Sequence, residues 1–207
     1  MAALFDWFLH LDTHLAAFAA SHGMLVYGVL FAVILVETGV VVPPFLPGDS
    51  LLFVAGAMAA QGTFSLALLL PLLMAAAVAG DALNFAAGSF TRRRAIDTQK
   101  IPLLKGEHLA RTRSFFDRHG KKTIVLARFV PVVRTLAAFV AALGNMAYPT
   151  FFKFNVIGAV CWVALLVGAG YLFGNVAWIA SHLTIVLLGI VGLSILPGLI
   201  GWFKQRV

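Results

Sequence analysis

The sequence is short of charge. Only 11% of its 207 residues are Asp, Glu, Lys or Arg, and 61% are hydrophobic. A soluble domain carries about 25% charged residues to face water, so the solvent for most of this surface is lipid. Basic residues are absent from positions 1–91, and residues 154–203 contain no charged residue of either sign. Cys161 is the only cysteine, which excludes an internal disulfide and a cysteine metal cluster. The N-terminus has no basic segment, and Asp6 and Asp12 interrupt its apolar run, so it does not read as a signal peptide.

The charge that exists is concentrated. Thirteen of the 23 charged residues lie between Arg92 and Lys122, and ten of these are basic. The net charge of +7 therefore belongs mostly to one loop. It lies between apolar segments and lacks interleaved aromatics, which excludes nucleic acid as the partner. The positive-inside rule places residues 92–122 in the cytoplasm, and Lys204 and Arg206 place the C-terminus there too.

Along the chain, residues 1–22 hold an amphipathic helix over 2–20 that lies on a bilayer surface. His10 and His14, four apart on it, read as part of its polar face rather than as metal ligands. Residues 23–91 form a first unit. An apolar leg over 23–36 is too short for a full span of about 20 residues. Glu37 ends it, and Pro43, Pro44 and Pro47 with Gly48 break the helix. Asp49 or Ser50 caps a second leg from about Leu51. Gly62-Thr63 turns into a long span over 64–90 that contains Asp81.

The basic loop, with a short amphipathic helix around Glu107–Arg118, separates this unit from a second at 123–174. There the leg Ile124–Ala127 leads into Arg128-Phe-Val-Pro-Val-Val-Arg-Thr135, followed by a leg over Leu136–Met146, a turn at Pro149 and another span. Residues 175–207 supply a last span, after a turn near Asn175–His182, and the tail. The fold expected is all-α and integral to the membrane: two re-entrant helical hairpins, each followed by a transmembrane helix. The halves resemble each other weakly. His22-Gly23 and His119-Gly120 precede the two hairpins, and Ser50–Met58 resembles Thr135–Leu143. The basic loop gives them opposite orientations, the pattern of inverted repeats in secondary transporters.

Glu37, Asp49, Arg128 and Arg134 sit at the breaks. Each costs about 2.5–3.5 kcal/mol at the centre of a lipid-facing helix, so they must pair or line a wet cavity. Two acids on one hairpin and two bases on the other imply pairing between the hairpins. A structural clamp and a transport site both fit that pattern, and mid-depth charge favours transport. The N-termini of both second legs, the hydroxyls of Ser50 and Thr135, and the two guanidinium groups make an anion site that suits phosphate. Glu37 and Asp49 oppose an anion unless they take protons, which gives a proton-coupled cycle. Asp81 is divided between a site role and a polar helix contact. His22 and His119 read as helix starts at the interface, and Trp162, Trp178 and Trp202 as packing or interface anchors.

Several segments then resemble one family. Glu37-Thr-Gly with Phe45-Leu-Pro-Gly-Asp-Ser50, Gly80-Asp81 with Gly88, Phe116-Asp-Arg-His-Gly120 with Arg128–Thr135, and Met146, Phe151, Asn155, Gly158, Trp162, Gly170-Tyr171 and Gly174 resemble, in order, four signatures of the DedA family, also called SNARE-associated or VTT-domain proteins. Thr38, Phe85 and Ser89 depart from residues common in that family. The resemblance implies re-entrant hairpins in an inverted repeat and a bacterial inner-membrane location. It implies flipping or scrambling of a lipid such as undecaprenyl phosphate or phosphatidylethanolamine. The family's essential acids and arginines map onto Glu37, Asp49, Arg128 and Arg134. The expected partners are membrane lipids and protons, with a homodimer open and no cofactor or metal. The alternative is a proton-coupled exporter of small cations or drugs. An intramembrane enzyme is not expected, since no Ser pairs with a membrane His and no His/Asp cluster has metal spacing.

Overall fold

The computed structural model describes residues 21–40, 48–94, 116–174 and, singly, Leu15, Thr112, Ser114 and Val176. The expected helix over 2–20, the proline-rich break at 41–47, most of the basic loop and the last span lie outside the described residues.

Among the described residues the chain is helical throughout, with no strand. Helix α1 is Leu25–Gly39, α2 is Gly48–Ala60 and α3 is Leu66–Arg93. A 3-10 turn at Gly120–Lys122 leads into the short α4, Thr123–Ala127, then α5, Pro131–Leu143, and α6, Tyr148–Phe173. At 28 and 26 residues, α3 and α6 reach about 42 and 39 Å, more than the roughly 30 Å of hydrocarbon in a bilayer. Both are apolar enough to cross it. Helices α2 and α5, 13 residues each, reach only about 20 Å.

Burial inverts the pattern of a soluble protein. Leu68, Leu83 and Phe90 on α3 and Ile157, Leu165 and Leu172 on α6 are exposed, while the interior holds Asp81, Asn84, Arg128 and Asn155. Helix α1 buries Val26, Leu30, Ile34 and Thr38, a stripe of period four that faces α3. Almost every residue of α2 is buried, and so are Leu136–Ala142 of α5. The packing is reciprocal: α1 lies on α3 and α4 on α6, while α2 lies on α6 and α5 on α3. Small residues permit the close approach. A Cβ on Gly56 or Gly170 would overlap the carbonyl of Val167 or Phe53 at the α2–α6 contact, and one on Gly88 would meet Phe139 of α5.

Two helix starts differ from the sequence expectation. Helix α2 begins at Gly48, which puts Asp49 and Ser50 in its first turn rather than at a cap before Leu51. The Asp49 carboxylate is taken instead by tertiary partners, Arg134 and Trp162. Helix α5 begins at Pro131, not near Leu136. Proline suits a first helical position because it fixes φ and lacks an N–H that would have no partner there. The second break is therefore only residues 128–130. Helix α5 ends at Leu143, before Met146, with Asn145 in the left-handed region at φ 60° and holding the Arg92 guanidinium through its side-chain oxygen.

Candidate functional site

The ends of α1 and α4 and the starts of α2 and α5 meet between the long helices, and the ionisable residues of the breaks meet with them. Arg134, in the first turns of α5, donates from Nη1 to Asp49 Oδ1 at 2.9 Å and from Nη2 to Glu37 Oε1 at 3.4 Å. One guanidinium thus bridges two carboxylates of the other unit. Its third contact is the indole of Trp162 on α6, whose ring centre lies 4.0 Å from Cζ. Trp162 also donates from Nε1 to the same Asp49 oxygen at 3.0 Å. The indole therefore orients acid and base together, with a cation–π contact on one and a hydrogen bond on the other. The Glu37 carboxylate lies so close to Gly48 that a Cβ there would overlap it.

Arg128 follows a different course. The expectation paired both arginines with Glu37 and Asp49. Arg128 instead pairs with Asp81 of α3 at 2.5 Å and donates to Asn155 Oδ1 of α6 at 2.7 Å. The reason lies in the packing. Arg128 caps α4, which rests on α6 at Gly158, where the absent side chain leaves room for the Arg128 stem. From there the guanidinium reaches Asp81. Asp81 is therefore a full partner in the charge set. Arg128 is only 4% exposed, and its Nε and Nη1 have no hydrogen-bond partner among the described residues.

Two asparagines complete the arrangement. Asn84 of α3 donates to the carbonyls of Thr38 at 3.4 Å and Thr135 at 3.0 Å, tying the end of α1 to the start of α5. Asn155 donates to the carbonyl of Val78 at 3.0 Å, tying α6 to α3. Ser50 is buried, and its hydroxyl has no partner among the described residues. Glu37 Oε2 and Asn84 Oδ1 are likewise buried without one. Buried polar atoms without partners are costly and mark places for water or a guest.

The structure thus brings together Glu37, Asp49, Ser50 and Arg134, with Thr135 beside them, and joins Asp81 to Arg128 close by. Both guanidinium carbons lie within 5.8 Å of the Trp162 ring centre. Sequence reasoning read Trp162 as an anchor and assigned no contact to Asn84 or Asn155. A signal was present: Gly80 and Asn84 on α3, like Gly158 and Trp162 on α6, stand four apart, so each polar side chain shares a face with a glycine that admits a neighbouring helix.

Known proteins match this chain over most of its length. The model of the VTT domain matches residues 46–172. That range holds Asp49, Asp81, Arg128, Arg134, Asn155 and Trp162, and leaves Glu37 outside. Protein DedA of Escherichia coli K12 is 45% identical over 205 residues, covering 98% of this chain and 94% of that one. A membrane protein of Mycobacterium leprae is 36% identical over 175 residues, 84% and 78% of the two chains. The inner membrane protein YghB of Escherichia coli K12 is 32% identical over 184 residues, 88% and 84%. No solved structure matches. The apolar spans and the match along the whole chain lead to one assignment: the chain belongs to the DedA family and is a membrane protein built on a VTT domain.

Proposed function

We infer that the protein is a transporter that moves a phosphate-bearing lipid, such as undecaprenyl phosphate or phosphatidylethanolamine, across the bacterial inner membrane, with protons as the coupling ion. The observation that carries this reading is Arg134, held between the Asp49 and Glu37 carboxylates and stacked on Trp162. A guanidinium with two carboxylates on its fork is bound to resident anions. A phosphate offers the same geometry and charge and can replace them. The exchange requires Asp49 and Glu37 to take protons as phosphate arrives and to release them as it leaves. Charge counting supports that step. Among the described residues, Glu37, Asp49 and Asp81 pair with Arg128 and Arg134, three carboxylates to two guanidinium groups. An uncompensated charge away from water is costly. One proton removes it, and Glu37 has the longer contact to Arg134 and an oxygen without a hydrogen-bond partner among the described residues. In this cycle Ser50 and Arg128, both with unused donors, are second contacts for the phosphate, and Thr135 a third.

The reading takes α1–α2 and α4–α5 as re-entrant hairpins and α3 and α6 as the spans of an inverted repeat. Support comes from the lengths of α2 and α5, and from the reciprocal packing in which each second leg lies on the long helix of the other unit. Gly80 meets the end of α1 as Gly158 meets the end of α4. Residues 92–122 and the C-terminus are cytoplasmic in this scheme. The excess carboxylate also suits the alternative, an exporter of small cations or drugs, in which Glu37 and Asp49 hold the cargo. The deciding experiment is headgroup translocation in liposomes that contain only this protein, with and without a cationic competitor. Lipid movement lost in an Arg134 variant supports the lipid reading. Cation export without lipid movement overturns it.

A further inference from the structure

A second polar feature lies apart from the buried charges. An open recess of about 550 Å³ is lined by Arg118, His119, Lys121, Lys122 and Phe154. Arg118, His119, Lys121 and Lys122 are exposed, and they form one short segment that includes the Gly120–Lys122 turn, with Gly120 at φ 56°. Phe154 belongs to α6 and closes the far wall. No acidic residue is among the described residues that line it. Asp117, the nearest acid in the sequence, lines a separate recess with Val140 and Met146. Among the described residues, Arg118, Lys121 and Lys122 meet no carboxylate. Three permanent cations therefore converge on one concavity, with no carboxylate among the described residues that line it.

The surroundings say which anion fits. The recess adjoins the first turns of a helix apolar enough to cross a bilayer, where Tyr148, Phe152 and Lys153 are exposed. Exposed aromatics beside lysine at the end of a span mark the level of the headgroups. Just after Lys122 in the chain, α4 exposes Leu126, and Phe129 beyond it is exposed as well. A soluble anion gains nothing from the apolar wall at Phe154 or from the exposed apolar surface of the adjoining helices, whereas a lipid covers both with its chains while its phosphate meets the cations. We propose that this recess binds the phosphate-bearing headgroup of an anionic lipid of the adjacent leaflet, at a site separate from Arg134. Lys122 immediately precedes α4, whose five residues end at Ala127, with Arg128 as the cap. A lipid seated there holds the helix that carries the buried arginine, so the site links the leaflet's anionic content to the interior charge set.

The test measures binding, not transport, so it stands whether or not the transport reading does. The full chain in detergent micelles is titrated with short-chain phosphatidylglycerol and, separately, with phosphatidylcholine. Phosphatidylglycerol is expected to bind more tightly. Each of Arg118→Gln, Lys121→Gln and Lys122→Gln should weaken it about fivefold, and the triple variant on the order of a hundredfold. Lys153→Gln, on the same helix end but outside the lining, should leave it near the unsubstituted value, and the triple substitution should cost as much in an Arg134→Lys background as in the unsubstituted chain. Arg118, Lys121, Lys122 and Lys153 are exposed, so their substitution leaves the packing of the helices intact. Unchanged affinity in the triple variant overturns the proposal. So does an equal loss in Lys153→Gln, which would mean diffuse surface attraction, or a triple substitution that costs nothing further in the Arg134→Lys background, which would merge the two sites. Displacement of the lipid by inorganic phosphate at equal concentration would assign the recess to a free anion and overturn it as well.

Discussion

Replacing Arg134 by lysine separates a transport site from a structural clamp. The charge is kept, but the ammonium is one point rather than a fork. It cannot hold Asp49 at 2.9 Å, reach Glu37 at 3.4 Å and cover the Trp162 ring together. A hydrogen bond to a charged group is worth about 1.5–3 kcal/mol. Loss of one such contact to the phosphate, made while the lipid crosses, slows translocation about ten- to a hundredfold. Folding suffers less. The Arg134 and Glu37 side chains are 11% exposed and that of Asp49 24%, so water solvates part of what lysine leaves behind. The assay is the rate at which a labelled phospholipid headgroup crosses liposomes containing each variant, beside thermal unfolding in detergent. Slow transport at near-normal stability is the expected result. Transport by Arg134→Lys at the unsubstituted rate would refute the reasoning. Full transport by the charge-swapped pair Asp49→Arg with Arg134→Asp would refute it too, because only a clamp tolerates reversal.

Truncating Arg128 to alanine strands Asp81 in the interior, where Arg128 itself is 4% exposed, and should cost about 3–5 kcal/mol, read as a lowered unfolding midpoint; an unchanged midpoint removes this pair from the fold's support. Gly168 and Gly170 give opposite outcomes two residues apart. A Cβ at Gly168 meets nothing within 4 Å among the described residues, so Gly168→Ala should stabilise the helix by about 0.5–1 kcal/mol, whereas Gly170→Ala collides with the Phe53 carbonyl and should destabilise by about 1–3 kcal/mol; equal midpoints would contradict the α2–α6 contact. If Glu37 must gain a proton before phosphate displaces it, transport falls as pH rises, and Glu37→Gln, always neutral, should flatten that fall; a pH profile identical to the unsubstituted one takes Glu37 out of proton coupling. A cysteine at position 97, with Cys161 first replaced, should react only with reagent on the cytoplasmic side, and labelling from outside intact cells would reverse the assigned topology.

The sequence alone determined the solvent of the surface and the places where helices stop. Lipid exposure follows from the scarcity of charge. The two long helices follow from apolar length, and the break between α4 and α5 from Pro131 among charged residues. Glu37, Asp49, Arg128 and Arg134 were legible as a set because ionisable groups in apolar segments are too costly to be incidental. Their partners were not legible, because pairing depends on which helix faces cross. Gly158 leaves room for the Arg128 stem, and that contact between α4 and α6 turns its guanidinium toward Asp81 rather than Glu37 and Asp49. Trp162 reads in sequence as one more apolar aromatic. The crossing of α2 over α6, allowed by Gly56 and Gly170, places its N–H on Asp49 and its ring on Arg134. Asn84 and Asn155 became ties between helices for the same reason: a polar side chain on an apolar helix must find a partner, and tertiary packing alone decides which carbonyl it finds.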